Sequence, residues 1–149
     1  MAYGIGCRRH DMVYQRKLTF QTGRHGEIRD LTSDVARVVT ESGIRSGIVH
    51  VFNVGSTGAL TTMEFEPGLE KDLPLFLDRM IPENGRYYHD ETWHDGNGHS
   101  HLQASLLGPS ITIPVSEGSL VLGTWQQIVH LECDVRSHRR KIIVTVHGE

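Results

Sequence analysis

The segment from residue 87 to residue 101 contains four of the ten histidines of the chain, His89, His94, His99 and His101. Three carboxylates lie among them, at Asp90, Glu91 and Asp95. Imidazoles and carboxylates at this density can bind a divalent metal, transfer protons or do both. A solvated loop has no need of four imidazoles, so this segment is the leading candidate for a functional site.

The spacing inside this segment leaves two interpretations open. Asn97 is a suitable N-cap for a short helix over residues 98–107, which places His99 and His101 in its first turn. Residues two apart on a helix point in different directions, so only one of the two can face a given site. A metal or phosphate site built from His89, His101 and carboxylates is one interpretation. A polar loop with surface histidines is the other, because His-x-His is a weak metal signature.

Two stretches nearer the N-terminus could contribute ligands. The run Gly55-Ser56-Thr57-Gly58 follows a predicted strand, where it forms either a phosphate cradle or a simple turn. Glu64 and Glu66 alternate with apolar residues. If that stretch is extended, both carboxylates lie on one face, as Mg²⁺ binding or general-base catalysis would require. Exposed strand glutamates are the alternative.

Two further patterns lie near the C-terminus. The run 123–126, Gly-Thr-Trp-Gln, is predicted to open a strand whose polar face carries His130, Glu132 and Asp134. Three interpretations of this row stay open: it lines a pocket, it pairs across a subunit interface, or it faces solvent. Because Ile128 lies in the same row, we expect this face of the strand to be partly covered. The basic run 136–140 is either a phosphate clamp or a solvated hairpin turn.

Length and composition indicate one ordinary globular domain over residues 1–149. The chain is 38% hydrophobic and 22% charged, with a formal net charge of -3, which does not suggest nucleic-acid binding. It has no membrane-length apolar run and no signal-peptide pattern, so we expect a cytoplasmic protein without a membrane partner. Cys7 and Cys133 lie far apart, and we expect both to be reduced and structural.

The predicted elements favour an α+β domain. The pattern predicts strands at 13–21, 47–52, 110–115, 120–134 and 141–147. Helical spacing follows Leu31, with Thr32 or Ser33 as cap and Gly43 as the end, and returns over 69–80, where Pro74 is predicted to divide or kink the helix. We therefore expect a mixed, largely antiparallel sheet with two to three helices. The Gly-rich residues 1–10 are expected to be loosely held.

Nearly the whole chain resembles the YjbQ-like family, whose members carry the name secondary thiamine-phosphate synthase. The residues that carry the resemblance are Ser110-x-x-Ile113-Pro114-Val115, the Gly118 turn, Leu120-Val121-Leu122-Gly123-Thr124-Trp125-Gln126-Gln127-Ile128, Tyr88-His89, Asn97-x-x-x-His101-Leu102-x-Ala104-Ser105-Leu106-x-Gly108, Glu132-x-Asp134-x-Arg136 and Arg139-Arg140. The resemblance runs from about Phe20 to Gly148. The Gly-Thr-Trp-Gln block with its preceding strand is its most specific part.

The resemblance implies a compact α+β subunit that assembles as a homotrimer, with a polar cleft that holds the shared histidines. It also implies condensation of a pyrimidine diphosphate with a thiazole phosphate to give thiamine phosphate. Many members have histidine at the position of Gly55, so one imidazole of the usual site is missing here. His94 and His99 are the candidates to replace it.

On this basis each candidate residue has an expected role. We expect Glu64, His89 and His101, with His99 as a further candidate, to hold a divalent ion, Mg²⁺ or Zn²⁺, or a phosphate. Ser56, Thr57, Asn97 and Gln126 would bind the phosphorylated substrate, Arg136 or Arg139 would neutralise its charge, and His130 and Glu132 would orient a ring or relay a proton. Some of these residues are expected to act across a subunit boundary. A metal-dependent hydrolase of a small phosphorylated substrate and a non-catalytic ligand- or metal-binding trimer stay open as alternatives.

Overall fold

A computed structural model describes residues 12–149, so the predicted loose segment 1–10, with Cys7, lies outside the described residues. The elements along the chain are β1 (Met12–Gln21), β2 (Ile28–Asp30), α1 (Thr32–Ser42), β3 (Gly47–Asn53), β4 (Gly58–Met63), α2 (Leu69–Met80), α3 (Tyr88–Trp93), α4 (Gly98–Leu107), β5 (Ser110–Ser116), β6 (Ser119–Leu120), β7 (Gln127–Glu132) and β8 (Arg139–Gly148). None of these helices is long and apolar enough to cross a membrane.

The strands form two antiparallel sheets. The larger has the order β1-β8-β3-β5-β6, and the smaller has the order β2-β7-β4. β1 pairs with β8 along its whole length, from Met12 opposite Gly148 to Gln21 opposite Arg139. The predicted α+β class is confirmed, with antiparallel pairing throughout the described strands and four helices instead of two to three.

Two apolar clusters cover the smaller sheet on both faces. Leu60 and Ile128 pack with α1 and the larger sheet, whereas Ala59 and Leu131 face α2 and α4. A strand buried on both faces need not alternate between apolar and polar residues. This explains why all residues of β7 from Ile128 to Glu132 are buried, including His130 and Glu132.

The predicted continuous strand over 120–134 is wrong. β6 ends at Leu120 in the larger sheet, and β7 begins at Gln127 in the smaller sheet. Between them the Gln126 N–H donates to the Gly123 carbonyl at 3.0 Å, and the Gly123 N–H donates to Gln126 Oε1 at 3.0 Å. A chain that passes from one sheet to another must interrupt its strand-to-strand hydrogen bonds. The turn at 123–126 is where this interruption occurs.

The helix boundaries confirm some sequence signals and correct others. Gly43 ends α1 in a left-handed conformation, as predicted. Neither Thr32 nor Ser33 caps the helix; Asp30 Oδ1 accepts from the Thr32 N–H at 2.8 Å and from its hydroxyl at 2.6 Å.

α2 continues through Pro74 instead of dividing there. The short helix α3 was not predicted, because one and a half turns of polar residues give no apolar periodicity.

We expect Gly58→Ala to destabilise the fold by about 1–3 kcal/mol, the usual cost of overpacking. A Cβ at Gly58 would lie 2.7 Å from Nε2 of His130, a fully buried side chain in β7 that has no room to move. Urea unfolding of the variant measures the change. Gly123→Ala is the control, because a Cβ there meets no atom closer than 3.6 Å; an equal loss in both variants would contradict the packing argument.

Candidate functional site

Helices α3 and α4 bring two of the predicted histidines into contact. His89 lies on α3 and His101 on α4, and their ring centroids are 4.3 Å apart at an interplanar angle of 45°. The loop between the helices reverses direction through His94 and Gly96, whose φ angles are 55° and 67°. The left-handed turn is therefore what places the two imidazoles side by side.

Asp95 and Asn97 hold His89 in place. His89 Nε2 lies 3.5 Å from Asp95 Oδ1. The side-chain amide of Asn97 makes hydrogen bonds here only when its nitrogen faces Asp95 and His89. In this orientation the nitrogen donates to Asp95 Oδ1 at 3.1 Å and to His89 Nε2 at 3.1 Å. In that orientation Nε2 of His89 accepts a hydrogen bond from the Asn97 amide.

The N-terminus of α4 is capped from outside the helix. Asn97 occupies the predicted N-cap position but makes no side-chain cap bond. Asp90 Oδ1 instead accepts from the Gly98 N–H at 2.9 Å. A Cβ at Gly98 would meet Cβ of Tyr87 at 2.5 Å, so glycine allows α3 and α4 to approach this closely.

His101 is held as a neutral imidazole. Burial lowers its pKa below the ordinary 6.5, and the neighbouring His89 lowers it further, against the opposing charges of Asp134, Asp95 and Asp90. No hydrogen bond within residues 12–149 occupies either of its ring nitrogens. A neutral ring with a free lone pair can accept a hydrogen bond or a proton from a ligand.

Asp134 is the carboxylate whose charge most strongly opposes the lowering of the His101 pKa. It follows β7 and is almost completely buried, and its Oδ2 lies 3.0 Å from His138 Nε2. Burial raises its pKa, but hydrogen bonds from Thr57 and from the Arg136 N–H, with the nearby His138, outweigh burial and lower it. Asp134 is therefore a fixed negative charge that acts on His101.

Glu132 forms a buried ion pair with Arg140 and does not face the site. Arg140 donates through Nε to Glu132 Oε2 at 2.7 Å and through Nη2 to Oε1. Thr22 Oγ1 donates to Oε2 at 2.7 Å, and the Asp134 N–H donates to Oε1 at 2.8 Å. All these partners lie inside the protein, so the contacts of Glu132 stabilise the fold instead of facing a ligand.

His130 is also buried away from the histidine pair. Its ring lies edge-on to Phe20, with centroids 5.3 Å apart, and neither ring nitrogen has a partner among the described residues. Burial, opposed by Glu132 and assisted by Arg140 and Arg29, lowers its pKa to about 4. The structure therefore separates His130 and Glu132 from His89 and His101.

The predicted phosphate cradle lies close to His101. Gly55, Ser56 and Gly58 line a cavity of about 150 Å³ with Ala104, Ser105 and Pro109. Ser105 is one turn after His101 on α4, so the two side chains share a face. Thr57 does not line the cavity; its Oγ1 accepts from Arg140 Nη2 at 3.0 Å. Ser56 and Ser105 are thus the hydroxyls nearest this cavity.

The backbone at Gly55, where many family members have histidine, is unfavourable for a side chain. Its φ is 151°, a conformation that L side chains rarely adopt, and a Cβ there would lie 3.2 Å from Arg140 Nη1. Neither predicted substitute histidine fills this position. His94 is exposed, and the His99 ring contacts His25 and Tyr87.

Five other residues that the sequence singled out lie outside the histidine pair. Glu64 is exposed after the end of β4, and Glu66 accepts from the Gly68 and Leu69 N–H groups at the start of α2. Gln126 closes the 123–126 turn and donates to Thr62 Oγ1 at 3.0 Å. The side chains of Arg136 and Arg139 are exposed, although the Arg136 backbone reaches Asp134.

The residues present do not form a complete metal site within one subunit. Among residues 12–149, no three His, Cys, Asp or Glu side chains converge into a group that could hold a metal ion. His89 and His101 supply two imidazoles, but Glu64 is not hydrogen-bonded or ion-paired to either ring. His99 is fully buried beside His25, whose centroid lies 5.6 Å away.

A second histidine network, which the spacing of residues did not predict, lies next to this site. His25 Nε2 lies 2.8 Å from Asp78 Oδ1, and His25 Nδ1 lies 2.9 Å from the Cys133 carbonyl. Gln103 Nε2 donates to the same Asp78 oxygen at 3.0 Å. A lone histidine in a Gly-rich turn carries no spacing signal, so only the fold reveals this contact. The Cys133 thiol beside it is buried, and burial raises its pKa to about 12, as expected for a structural cysteine.

Together, the two sheets, the four helices and the imidazole pair define a small α+β protein with a histidine–carboxylate site at the junction of α3 and α4. The family model described as UPF0047 protein YjbQ-like matches residues 16–149. The chain belongs to this family.

Relatives of this chain match over most of their length. A UPF0047 protein from Methanothermobacter thermautotrophicus is 43% identical over 137 residues, covering 92% of this chain and 94% of the relative. The YjbQ protein of Escherichia coli O157:H7 is 33% identical over 145 residues, covering 93% and 100%. The crystal structure of a YbjQ-like protein from Sulfolobus solfataricus has a TM-score of 0.88 at 38% identity and covers 94% of this chain and 100% of that one.

We expect His25 to make stability fall as pH rises above 6.5. Burial lowers its pKa, but the hydrogen bonds to Asp78 and the Cys133 carbonyl, with the charges of Asp78 and Glu83, outweigh burial and raise it above 6.5. The stabilisation is complete below the unfolded pKa and is lost as pH rises through the folded pKa.

Urea unfolding between pH 5 and 9 checks this expectation, with the His25 titration followed by NMR. Asp78→Asn should shift the His25 midpoint down and flatten the stability profile. Glu117→Gln, which removes a surface ion pair with Arg45, is the control and should leave both unchanged. A His25 midpoint below 6.5 in the unsubstituted protein would overturn the assignment.

Proposed function

We propose that this protein condenses a pyrimidine diphosphate with a thiazole phosphate, in the manner of a thiamine-phosphate synthase. The observation that carries the proposal is the His89–His101 pair, fixed by Asp95 and Asn97 and adjoining a small hydroxyl-lined cavity. The resemblance of the motifs around His89, Asn97 and His101 supports the same reaction. We also propose that the protein is located in the cytoplasm.

In this reaction the thiazole nitrogen attacks the methylene carbon of the pyrimidine. A C–N bond forms, the C–O bond to the diphosphate breaks, and diphosphate leaves with that electron pair. Nothing is oxidised or reduced. The protein must hold two substrates in line and offset the charge that develops on the leaving oxygens.

The chain offers separate groups for these tasks. Ser56 and Ser105 can donate hydroxyl hydrogens to phosphate oxygens in the 150 Å³ cavity. The exposed guanidinium of Arg136 follows Asp134 and is free to reach toward an anion there. His101 offers the only imidazole of the pair without a hydrogen-bond partner among residues 12–149, so we assign it to the contact with substrate. A divalent ion, Mg²⁺ or Zn²⁺, stays a prediction that would need donors beyond those that converge here.

We also propose that the protein is a homotrimer, as the resemblance implies. Ile48 and Phe52 on β3 and Val54 after it are large apolar side chains with 39–45% exposure, which an apolar interface would cover. A neighbouring subunit could then supply a residue that the site lacks. This offers a route by which the exposed Glu64 or Arg139 acts in trans.

We expect His101→Asn to reduce turnover of the pyrimidine diphosphate and thiazole phosphate about 100-fold, the effect of a misplaced or missing catalytic contact. His94→Asn is the matched control. His94 lies in the same loop but is exposed, with a φ of 55° that asparagine adopts readily, so its turnover should be unchanged. Activity should also decline as pH falls through the His101 pKa, which burial and His89 hold below 6.5, because the protonated ring can no longer accept a hydrogen bond.

The assay separates the alternatives if metal content is measured on the same samples. Release of phosphate from one substrate alone, lost when metal is removed, would replace the synthase with a metal-dependent hydrolase. Binding of either phosphate without turnover would indicate a non-catalytic binder. Equal activity in the His101→Asn and His94→Asn proteins would show that the imidazole pair is not the site.

We expect sedimentation equilibrium to give three times the mass of the 16.7 kDa chain. Phe52→Asp should shift the protein toward the monomer, because a carboxylate would be buried in the interface without a partner. Trp125→Asp, which alters an exposed side chain of the 123–126 turn, is the comparison. A monomeric unsubstituted protein at working concentration would refute the trimer.

A further inference from the structure

A separate cleft lies where the turn after β1 meets helix α2. It is lined by residues 24–28 and by Glu70, Lys71, Pro74 and Leu75 of α2. Its volume is about 500 Å³, and small-molecule sites usually measure about 300–1,000 Å³. The cleft therefore has the size of a ligand site, and it shares no lining residue with the histidine pair.

Contacts between the turn and the helix hold this cleft in shape. The Gly26 N–H donates to the Glu132 carbonyl at 2.8 Å, which fixes the turn to β7. His25 Nε2 lies 2.8 Å from Asp78 Oδ1, so the same turn is bonded to α2. A Cβ at Gly26 would lie 3.2 Å from Pro74 Cβ, which shows how closely the turn packs on the helix. The cleft is therefore preformed, and a ligand need not order its walls.

The cleft presents unpaired charges of both signs. Among residues 12–149, no hydrogen bond or ion pair engages the Arg24 guanidinium or the Lys71 ammonium. The Glu70 carboxylate has none either in this part of the chain. Glu27 uses one oxygen, Oε2, to accept from the Gly23 N–H at 2.6 Å. Two cations and two carboxylates can therefore still bind a ligand.

This balance of charge determines which ligand the cleft favours. His25 adds no free donor, because its ring nitrogens are bonded to Asp78 and to the Cys133 carbonyl. The two carboxylates would repel a purely anionic ligand, and the two cations would repel a purely cationic one. A molecule with both an ammonium and a carboxylate can pair with both sets of groups.

The spacing of the charges favours a ligand with separated ends. None of the four charged groups forms an ion pair with another, so the opposite charges of the lining lie apart. A free amino acid carries its two charges on one carbon, whereas a dipeptide carries them at opposite ends. The two ends of a dipeptide therefore match this lining better.

The rest of the lining is apolar. Ile28 is buried, Pro74 is half-buried, and Leu75 is 52% exposed. A hydrocarbon side chain placed against Leu75 would remove apolar surface of both groups from water. The lining thus favours a zwitterion that also carries apolar side chains.

We infer that this cleft binds a small apolar zwitterion of the dipeptide class. The carboxylate of the ligand pairs with Arg24 and Lys71, and its ammonium pairs with Glu27 and Glu70. Its side chains cover Leu75. This inference goes beyond the proposed function and does not depend on it, because no residue assigned to the reaction lines the cleft.

Binding of leucyl-leucine to the full chain, followed by amide NMR shifts, tests the inference. Saturable shifts should lie at residues 23–28 and 69–76. N-acetyl-leucyl-leucine keeps only the carboxylate, and leucyl-leucinamide keeps only the ammonium. Each should bind about 10-fold more weakly, as the loss of one charge-assisted contact implies. Either blocked peptide binding as tightly as leucyl-leucine would overturn the zwitterion assignment.

Substitutions on α2 test which group contacts which end of the ligand. Lys71→Gln should reduce the preference for leucyl-leucine over leucyl-leucinamide, because the carboxylate loses a partner. Glu70→Gln should reduce the preference over N-acetyl-leucyl-leucine, because the ammonium loses one. Arg79→Gln and Asp72→Asn are the matched controls and should change neither preference, since both side chains are exposed on the same helix and do not line the cleft.

Three further results would contradict the inference. The first is the absence of saturable shifts at residues 23–28 and 69–76 with leucyl-leucine. The second is an equal effect of Lys71→Gln and Arg79→Gln, or of Glu70→Gln and Asp72→Asn. The third is binding of glycyl-glycine as tight as that of leucyl-leucine, which would overturn the apolar contact with Leu75.

Discussion

The buried ion pair between Glu132 and Arg140 is the contact on which the rest of the structure depends. Glu132 ends β7 in the smaller sheet, and Arg140 lies near the start of β8 in the larger one. Thr22 after β1 and Thr57 before β4 complete the hydrogen bonds of the pair. A buried pair is tolerated only when its remaining donors and acceptors are satisfied, and this one recruits partners from both sheets to do so.

This ion pair also sets the position of the functional residues. The Asp134 N–H donates to Glu132, which holds in place a carboxylate whose charge acts on His101. The same Arg140 holds Thr57, so the 55–58 loop is held against the sheet and leaves its cavity between Ser56 and α4. The site on the helices and the loop on the strands are therefore both held by one ion pair in the protein interior.

Burial determines which histidines are interior groups and which can contact a ligand. His130 and His99 are fully buried, and burial lowers the pKa of each. His25 has an acceptor on each ring nitrogen, and an imidazole can donate to both only when it is protonated. His89 and His101 are partly exposed and adjacent, and both line a cleft of about 510 Å³ between residues 86–89 and α4. This access distinguishes the pair from the fully buried His99 and His130.

The sequence by itself determined the family, the α+β class, most element positions and the pairing of His89 with His101 as the leading candidates. Those features depend on local signals: apolar periodicity, the Gly43 helix end, and the motif residues around Asn97 and His101. Only the tertiary structure decided that Glu132 and His130 are interior groups, that 120–134 divides between two sheets, and that Arg140, not Arg136 or Arg139, is the buried cation. Spacing along a strand shows which residues share a face, whereas whether that face meets solvent or a second layer depends on contacts between residues far apart in the chain.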